Sequence, residues 1–262
     1  MMYSARTRVA PMTFFEGTQI FFRGMGFIVS RPSVWLYAAV PMVAAFGLTM
    51  LLSVYGIWKA HGEILHVFGA VHQVFGEIDA DIEQFGYWLA QIVVYIVVVV
   101  GAVLLGGSLA QPLSGPALDA IAREQEMAMG WTATPSVPFF ESVVRSIKIT
   151  AITLAMGIPI FIVLSLIEIV LPVSVMVMLP LKLAVSSVLA AWNLLDYPFG
   201  RQRMDFGARY KFFRSHLWAC AGFGLPVAII AFIPLIGLLI LPAGVAGATY
   251  LFLTCMAREN RG

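Results

Sequence analysis

LWACAGFGLPVAIIAFIPLIGLLILPAGVAGATYLFLTCMA, residues 217–257, contains no Asp, Glu, Lys or Arg. A soluble segment of 41 residues would need a solvated face, and this one has none. At ~1.5 Å per helical residue it is long enough to cross a ~30 Å hydrocarbon layer twice. Pro226, Pro234 and Pro242 interrupt it at intervals of eight, among Gly222, Gly224, Gly237, Gly244 and Gly247. Each proline deletes a helical hydrogen bond. In lipid the freed carbonyl must find a partner in protein or in a water-lined cavity. Broken helices at membrane depth point to a transport pathway more than to an anchor.

The rest of the chain agrees with this class. It is 60% hydrophobic and 11% charged, with a mean hydropathy of +0.90, whereas soluble domains carry roughly 25% charged residues. An all-α integral membrane protein is expected. Cys220 and Cys255 both fall in the charge-free stretch and read as small apolar residues, not as a disulfide or a metal site. No cleavable signal peptide is expected, so the first span serves as the insertion signal.

Working towards the N-terminus, residues 14–30 put Phe14, Phe21, Phe22, Met25 and Ile28 on one side and Glu16, Gln19 and Arg23 on the other. This pattern predicts an in-plane amphipathic helix ended by Arg31-Pro32. Spans are predicted at 34–55, with Trp35 and Tyr37 at one interface and Tyr55 and Trp58 at the other, and at 87–107. Between them Ile64, Phe68, Val71, Phe75, Ile78, Ile82 and Phe85 keep a 3.5-residue repeat, with Glu63, Glu77, Asp79, Asp81 and Glu83 opposite. Either an extramembrane heptad helix over 60–86 packs on a partner, or a helix lies on its own membrane. Ser114 and Pro116 suit the start of an amphipathic helix that Gly130 stops, with Leu118, Ile121 and Ala122 facing one way and Asp119, Arg123 and Glu126 the other. Thr132–Pro138 reads as a linker. Residues 142–195 and 217–256 read as two helical hairpins, broken by proline and glycine, that cross the bilayer either fully or only in part, the first turning near Leu171–Ser174. The whole, 1–262, reads as one polytopic membrane domain.

The N-terminus, the 108–148 region, the 196–216 loop and the C-terminus hold 14 of the 16 basic residues. The positive-inside rule then puts both termini in the cytoplasm and the acidic heptad segment outside. Glu168 and Lys182 are the only charges between Lys148 and Asp196. They are either a pair lining a path or a Glu at the outer interface and a snorkelling Lys. His61, His66 and His72 are five and six apart, which does not place them on one helical face, so no metal is expected. Arg201, Arg203, Arg209, Lys211 and Arg214 against Asp196 and Asp205 make a basic loop that either attracts anions and anionic lipid headgroups or only sets topology. No catalytic constellation, cofactor motif or nucleic-acid motif is present, so no enzyme is expected.

Leu195-Asp196-Tyr197-Pro198-Phe199, Gly222-Phe223-Gly224, Ile233-Pro234-Leu235-Ile236 and Leu241-Pro242-Ala243-Gly244-Val245-Ala246-Gly247-Ala248-Thr249 resemble the CysZ family of bacterial inner-membrane sulfate permeases, part of a superfamily with the etoposide-induced membrane proteins. Ala110-Gln111-Pro112-Leu113 before Gly115, and Val29-Ser30-Arg31-Pro32 with Pro41, fall in the same order. The resemblance implies two long transmembrane helices reaching beyond the bilayer, homo-oligomers, and passive conduction of a small anion such as sulfate through a lipid-embedded protein. It also implies a sulfate-binding loop of Gly-apolar-Arg type. The matching run here is Pro32-Ser33-Val34-Trp35-Leu36, with Ser33 in place of Gly and Trp35 and Leu36 in place of arginines. A dianion needs positive charge or several N–H donors to replace its hydration. Arg31, Ser33 and Trp35 are therefore the candidate substrate-binding residues, Glu168 and Lys182 the candidate path residues, and Asp196, Tyr197, Pro198, Gly222, Phe223, Gly224, Pro234 and Pro242 structural motif residues. The alternative is a non-transporting membrane scaffold, or a lipid- or protein-interaction protein, of the same superfamily.

Overall fold

Thr13 starts the first helix for a local reason. Its hydroxyl accepts the Glu16 N–H at 3.2 Å, while the Glu16 carboxylate accepts the Thr13 N–H at 2.7 Å. Two of the orphan donors of the first turn are satisfied reciprocally. The helix ends where Arg31, which precedes a proline, adopts an extended conformation (φ −126°, ψ 93°). The computed structural model describes residues 12–75, 80–132, 138–170, 175–231 and 233–260, and no strand occurs among them. The helices are α1 (Phe14–Ser30), a 3-10 turn (Pro32–Val34), α2 (Trp35–Phe75), α3 (Ala80–Leu113), α4 (Gly115–Ala128), α5 (Phe139–Val170), α6 (Val175–Arg201), α7 (Phe206–Ser215), α8 (Leu217–Ala231) and α9 (Pro234–Glu259). Among the described residues five helices are long and apolar enough to cross a membrane, or six if α7 and α8, bent by 89°, form one broken span. The protein is an all-α, multi-pass membrane protein.

Several local expectations change. Pro226 and Pro242 lie inside α8 and α9, and Pro159 and Pro180 inside α5 and α6. A proline costs one hydrogen bond without ending a membrane helix when neighbours resatisfy the backbone, and in the charge-free stretch only Pro234 stands at a helix boundary. The segment read as a basic loop is helical: Asp196 to Arg201 complete α6, and α7 follows. Ser114 occupies the N-cap of α4 but makes no capping bond with its side chain. Gly130, at φ +76°, does stop that helix, in a conformation other residues avoid. The linker residues 133–137 and the expected turn at 171–174 lie outside the described residues; α5 ends at Val170 and α6 begins at Val175.

The chain divides into two compact units, residues 42–111 and the remainder. In the first, α2 and α3 run antiparallel. Gly106 sits against the backbone of Thr49, Gly56 against Val98, and Phe68 meets Tyr87 edge-on with centroids 5.4 Å apart. Gln91 donates to His61 Nδ1 and to Tyr95 Oη at 3.0 and 3.1 Å, a polar clasp between otherwise apolar helices. The heptad pattern over 60–86 therefore does not describe one helix. Ile64 and Phe68 belong to α2, Ile82 and Phe85 to α3, and Ile78 lies outside the described residues. An antiparallel hairpin can carry one apolar period through both of its arms, and periodicity alone does not reveal a reversal.

In the second unit α9 is the hub. Its apolar window is 72% buried by the rest of the chain, against 11% for that of α5. The face of α1 that packs here is Gly17, Ile20, Phe21 and Gly24; Phe22, placed on the apolar face by its spacing, is exposed. The packing is backbone on backbone. A Cβ on Gly17 would lie 2.0 Å from the Ala219 carbonyl oxygen, and one on Gly222 would lie 1.9 Å from that of Phe14. Close approach of this kind is what small residues allow between membrane helices. Thr18 then donates to the Gly222 carbonyl at 2.9 Å. At its start α1 is tied to the end of α9 by Arg258, whose guanidinium lies 2.7 Å from the Glu16 carboxylate.

Two outcomes follow. Gly17→Ala should lower the melting temperature of the detergent-solubilised protein, because backbone carbonyls cannot rotate away. Gly26→Ala on the same helix, with nothing within 4 Å of its added methyl, should leave it unchanged or raised, since Ala favours a helix by about 1 kcal/mol over Gly. The second concerns pH. Hydrogen bonds from Arg258 first, and from the Thr13 amide next, lower the Glu16 pKa from 4.5 to about 2. A carboxylate depressed in the fold stabilises it above the unfolded pKa and loses that effect as pH falls through the folded value. The melting difference between wild type and Glu16→Gln should be full at pH 7, and shrink between about pH 4.5 and pH 2.

Candidate functional site

Asp119 and Glu126 are seven residues apart on α4 and thus share a face. That face is turned inward: Glu126 is 1% exposed and Asp119 is buried, together with Leu118, Ile121 and Ala122. The separation of α4 into an apolar and a polar side therefore does not correspond to inside and outside. The inner carboxylates meet cations from helices distant in sequence. From α5, Arg145 Nη2 donates to both Asp119 oxygens at 2.5 and 2.7 Å, and Ser142 donates to Oδ2. From α6, Arg201 grips Glu126 through Nε and Nη2 at 3.0 and 2.8 Å. Asp196, also on α6, lies 3.4 Å from Arg145 Nε, an ionic contact without hydrogen-bond alignment. It also pairs with Arg209 of α7. Gly200 makes room for this: a Cβ there would lie 2.6 Å from Arg145 Nη1.

Three carboxylates and three guanidiniums converge, so the site is balanced as it stands. Access separates its members. The Arg201 and Glu126 side chains are each 1% exposed, whereas Arg145 and Arg209 are 16% and 18% exposed. The Arg201–Glu126 pair is closed to any solute. Arg145, shared between Asp119 and Asp196, and Arg209 are the partly exposed cations of the cluster.

The residues singled out in the sequence lie elsewhere on the same unit. The Arg31 guanidinium stacks on Phe27, 4.9 Å from the ring centroid, and among the described residues meets no carboxylate. Ser33 is exposed. Trp35 donates its indole N–H to the Ile28 carbonyl at 2.9 Å, which assigns that donor to the end of α1. Glu168 and Lys182 form an ion pair between α5 and α6. They lie far from the cluster: Arg145 and Glu168 are 23 residues apart on α5, about 35 Å of helix. Among the motif residues, Asp196 and Tyr197 are buried beside the cluster and Pro198 lies in the last turn of α6. Gly222, Phe223 and Gly224 are all buried on α8: Gly222 packs on Phe14 of α1, and a Cβ on Gly224 would strike the Ser187 carbonyl of α6 at 1.9 Å. Pro234 opens α9 and Pro242 lies within it. The cluster's Asp119, Glu126 and Arg145 were legible only as topology-setting or surface charge, and Arg201 and Arg209 as part of a loop that either attracts anions and anionic lipid headgroups or only sets topology. The i, i+7 carboxylates of α4 were the available signal.

A model of the family described as sulfate transporter CysZ/etoposide-induced protein 2.4 matches residues 20–242. The chain belongs to this family. The family's description names a sulfate transporter. Curated relatives named sulfate transporter CysZ are 36% identical over 70 residues in Pseudomonas paraeruginosa and in Pseudomonas aeruginosa, covering 27% of this chain and 28% of each relative. In Pseudomonas fluorescens another is 32% identical over 90 residues, 34% of this chain and 36% of the relative. The chain thus matches about a third or less of the length of these relatives.

Within the family architecture the Arg201–Glu126 pair should behave as a closed structural lock. Arg201→Met alone or Glu126→Gln alone should each cost about 3–5 kcal/mol, because each strands a buried group. The double variant Glu126→Leu/Arg201→Met should recover most of the loss, as read by thermal unfolding in detergent.

Proposed function

We propose that the protein is a permease of the bacterial inner membrane that conducts a small inorganic anion, sulfate first, as a homo-oligomer with both termini in the cytoplasm. The observation that carries this reading is the convergence of buried arginines, Arg145 among them within reach of solute, in a member of a sulfate transporter family. Charges placed inside apolar helices are expensive and are retained where they handle ions. In this reading Arg31, with Ser33 beside it, collects the anion at the mouth, where among the described residues no carboxylate pairs with Arg31. The anion then displaces Asp119 or Asp196 from Arg145, and Arg209 follows the displaced Asp196. Glu168 and Lys182 stand at the far end of α5 and α6, where Lys182 offers the anion a second cation. No group is chemically changed, so no catalytic residue or cofactor takes part.

One observation favours the alternative, a scaffold that moves no solute: the three cluster arginines are matched one for one by carboxylates. Radiolabelled sulfate uptake into proteoliposomes decides between them. Uptake should exceed that of protein-free vesicles and saturate, and Arg31→Ala should lower it about tenfold or more at low sulfate, the scale of one charge-assisted hydrogen bond. No uptake by well-folded protein would support the scaffold.

A further inference from the structure

The ten residues of α7 divide into two faces with different tasks. Arg209, Phe212 and Phe213 turn inward, the first onto Asp196 and the other two into the core. Phe206, Tyr210, Lys211 and Arg214 turn outward and are exposed. Tyr210, Lys211, Arg214 and Ser215 line an open groove of about 460 Å³. Among the described residues neither Lys211 nor Arg214 meets a carboxylate, although Arg201 and Arg209, on either side of Arg203, are both ion-paired. We propose that this groove holds the phosphate of an anionic phospholipid.

The setting selects a lipid over a free anion. α7 meets α8 at 89°, and α8 carries no charge from Leu217 to Ala231. A helix perpendicular to one that enters hydrocarbon lies in the headgroup plane, where basic residues meet anionic lipid. Tyr210, which lines the groove, and Trp218 are both more than half exposed. Amphipathic rings of this kind sit at the boundary between headgroup and acyl chain. Lys211 and Arg214 supply several N–H donors to phosphate oxygens, and the Tyr210 hydroxyl can donate another. Ser215 gives its own proton to the Phe212 carbonyl at 2.8 Å and does not compete as a donor. The exposed Leu217 and Trp218 continue the surface as an apolar bed for acyl chains, which sulfate or phosphate would not use. The site does not depend on whether any solute moves through the protein.

The test is lipid binding to the detergent-purified full chain by native mass spectrometry, with phosphatidylglycerol as the probe and phosphatidylcholine as the uncharged comparison. The wild type should retain phosphatidylglycerol preferentially. Lys211→Gln/Arg214→Gln should weaken that binding roughly 20- to 30-fold, about a kilocalorie per mole for each charge removed, with phosphatidylcholine unaffected. Lys211→Arg/Arg214→Lys should restore it, which separates loss of charge from loss of folding. Inorganic phosphate at millimolar concentration should not displace the lipid. Equal phosphatidylglycerol binding by wild type and the Gln double variant would overturn the proposal. So would displacement of the lipid by inorganic phosphate, which would reassign the groove to a free anion.

Discussion

Charges buried among apolar helices must neutralise one another, and this requirement organises the larger unit. Asp119 is paired with Arg145, Glu126 with Arg201, and Asp196 with both Arg145 and Arg209, as the cost of burying a lone charge requires. Each pair joins a different combination of α4, α5, α6 and α7. The helices that carry these groups are thereby fixed together. Arg145 has a special place because a planar guanidinium can serve two carboxylates at once, which an ammonium does poorly.

A second constraint is steric. α1, α8 and α9 meet through glycine backbones, with Gly17, Gly24, Gly222 and Gly247 at the crossings. In lipid there is no hydrophobic gain from driving one apolar helix onto another, so close contact and hydrogen bonds such as Thr18 to Gly222 must supply the adhesion. The unit is therefore held by tight packing around α9 on one side and by the charge cluster on the other. α5 contributes Arg145 and Ser142 to that cluster while most of its apolar length stays uncovered by this chain.

The membrane class was legible in residues 217–257 because absence of charge over such a length has one physical meaning. Helix ends were legible where backbone chemistry decides them, at Arg31-Pro32 and at Gly130. The orientation of faces was not. Periodicity separates two sides of α4, but in this fold Asp119 and Glu126 are buried along with Leu118, Ile121 and Ala122. The heptad pattern failed in a related way, since the two arms of the α2–α3 hairpin share it. Glu168 and Lys182 stood out as isolated charges. Arg201 and Glu126, 75 residues apart, did not, because Arg201 sits at the end of an apolar block where topology charge is common and Glu126 among the other charges of an amphipathic helix.

The central claim is that an anion exchanges with Asp119 and Asp196 for Arg145. Arg145→Lys tests it most directly, because lysine keeps the charge but cannot bridge both carboxylates. The measurement is sulfate flux per correctly inserted protein, with wild type and variant matched for melting temperature and elution profile. The account predicts flux changed by about tenfold or more, the scale of one charge-assisted contact. Flux equal to the wild type would contradict it and leave the cluster with a purely structural role.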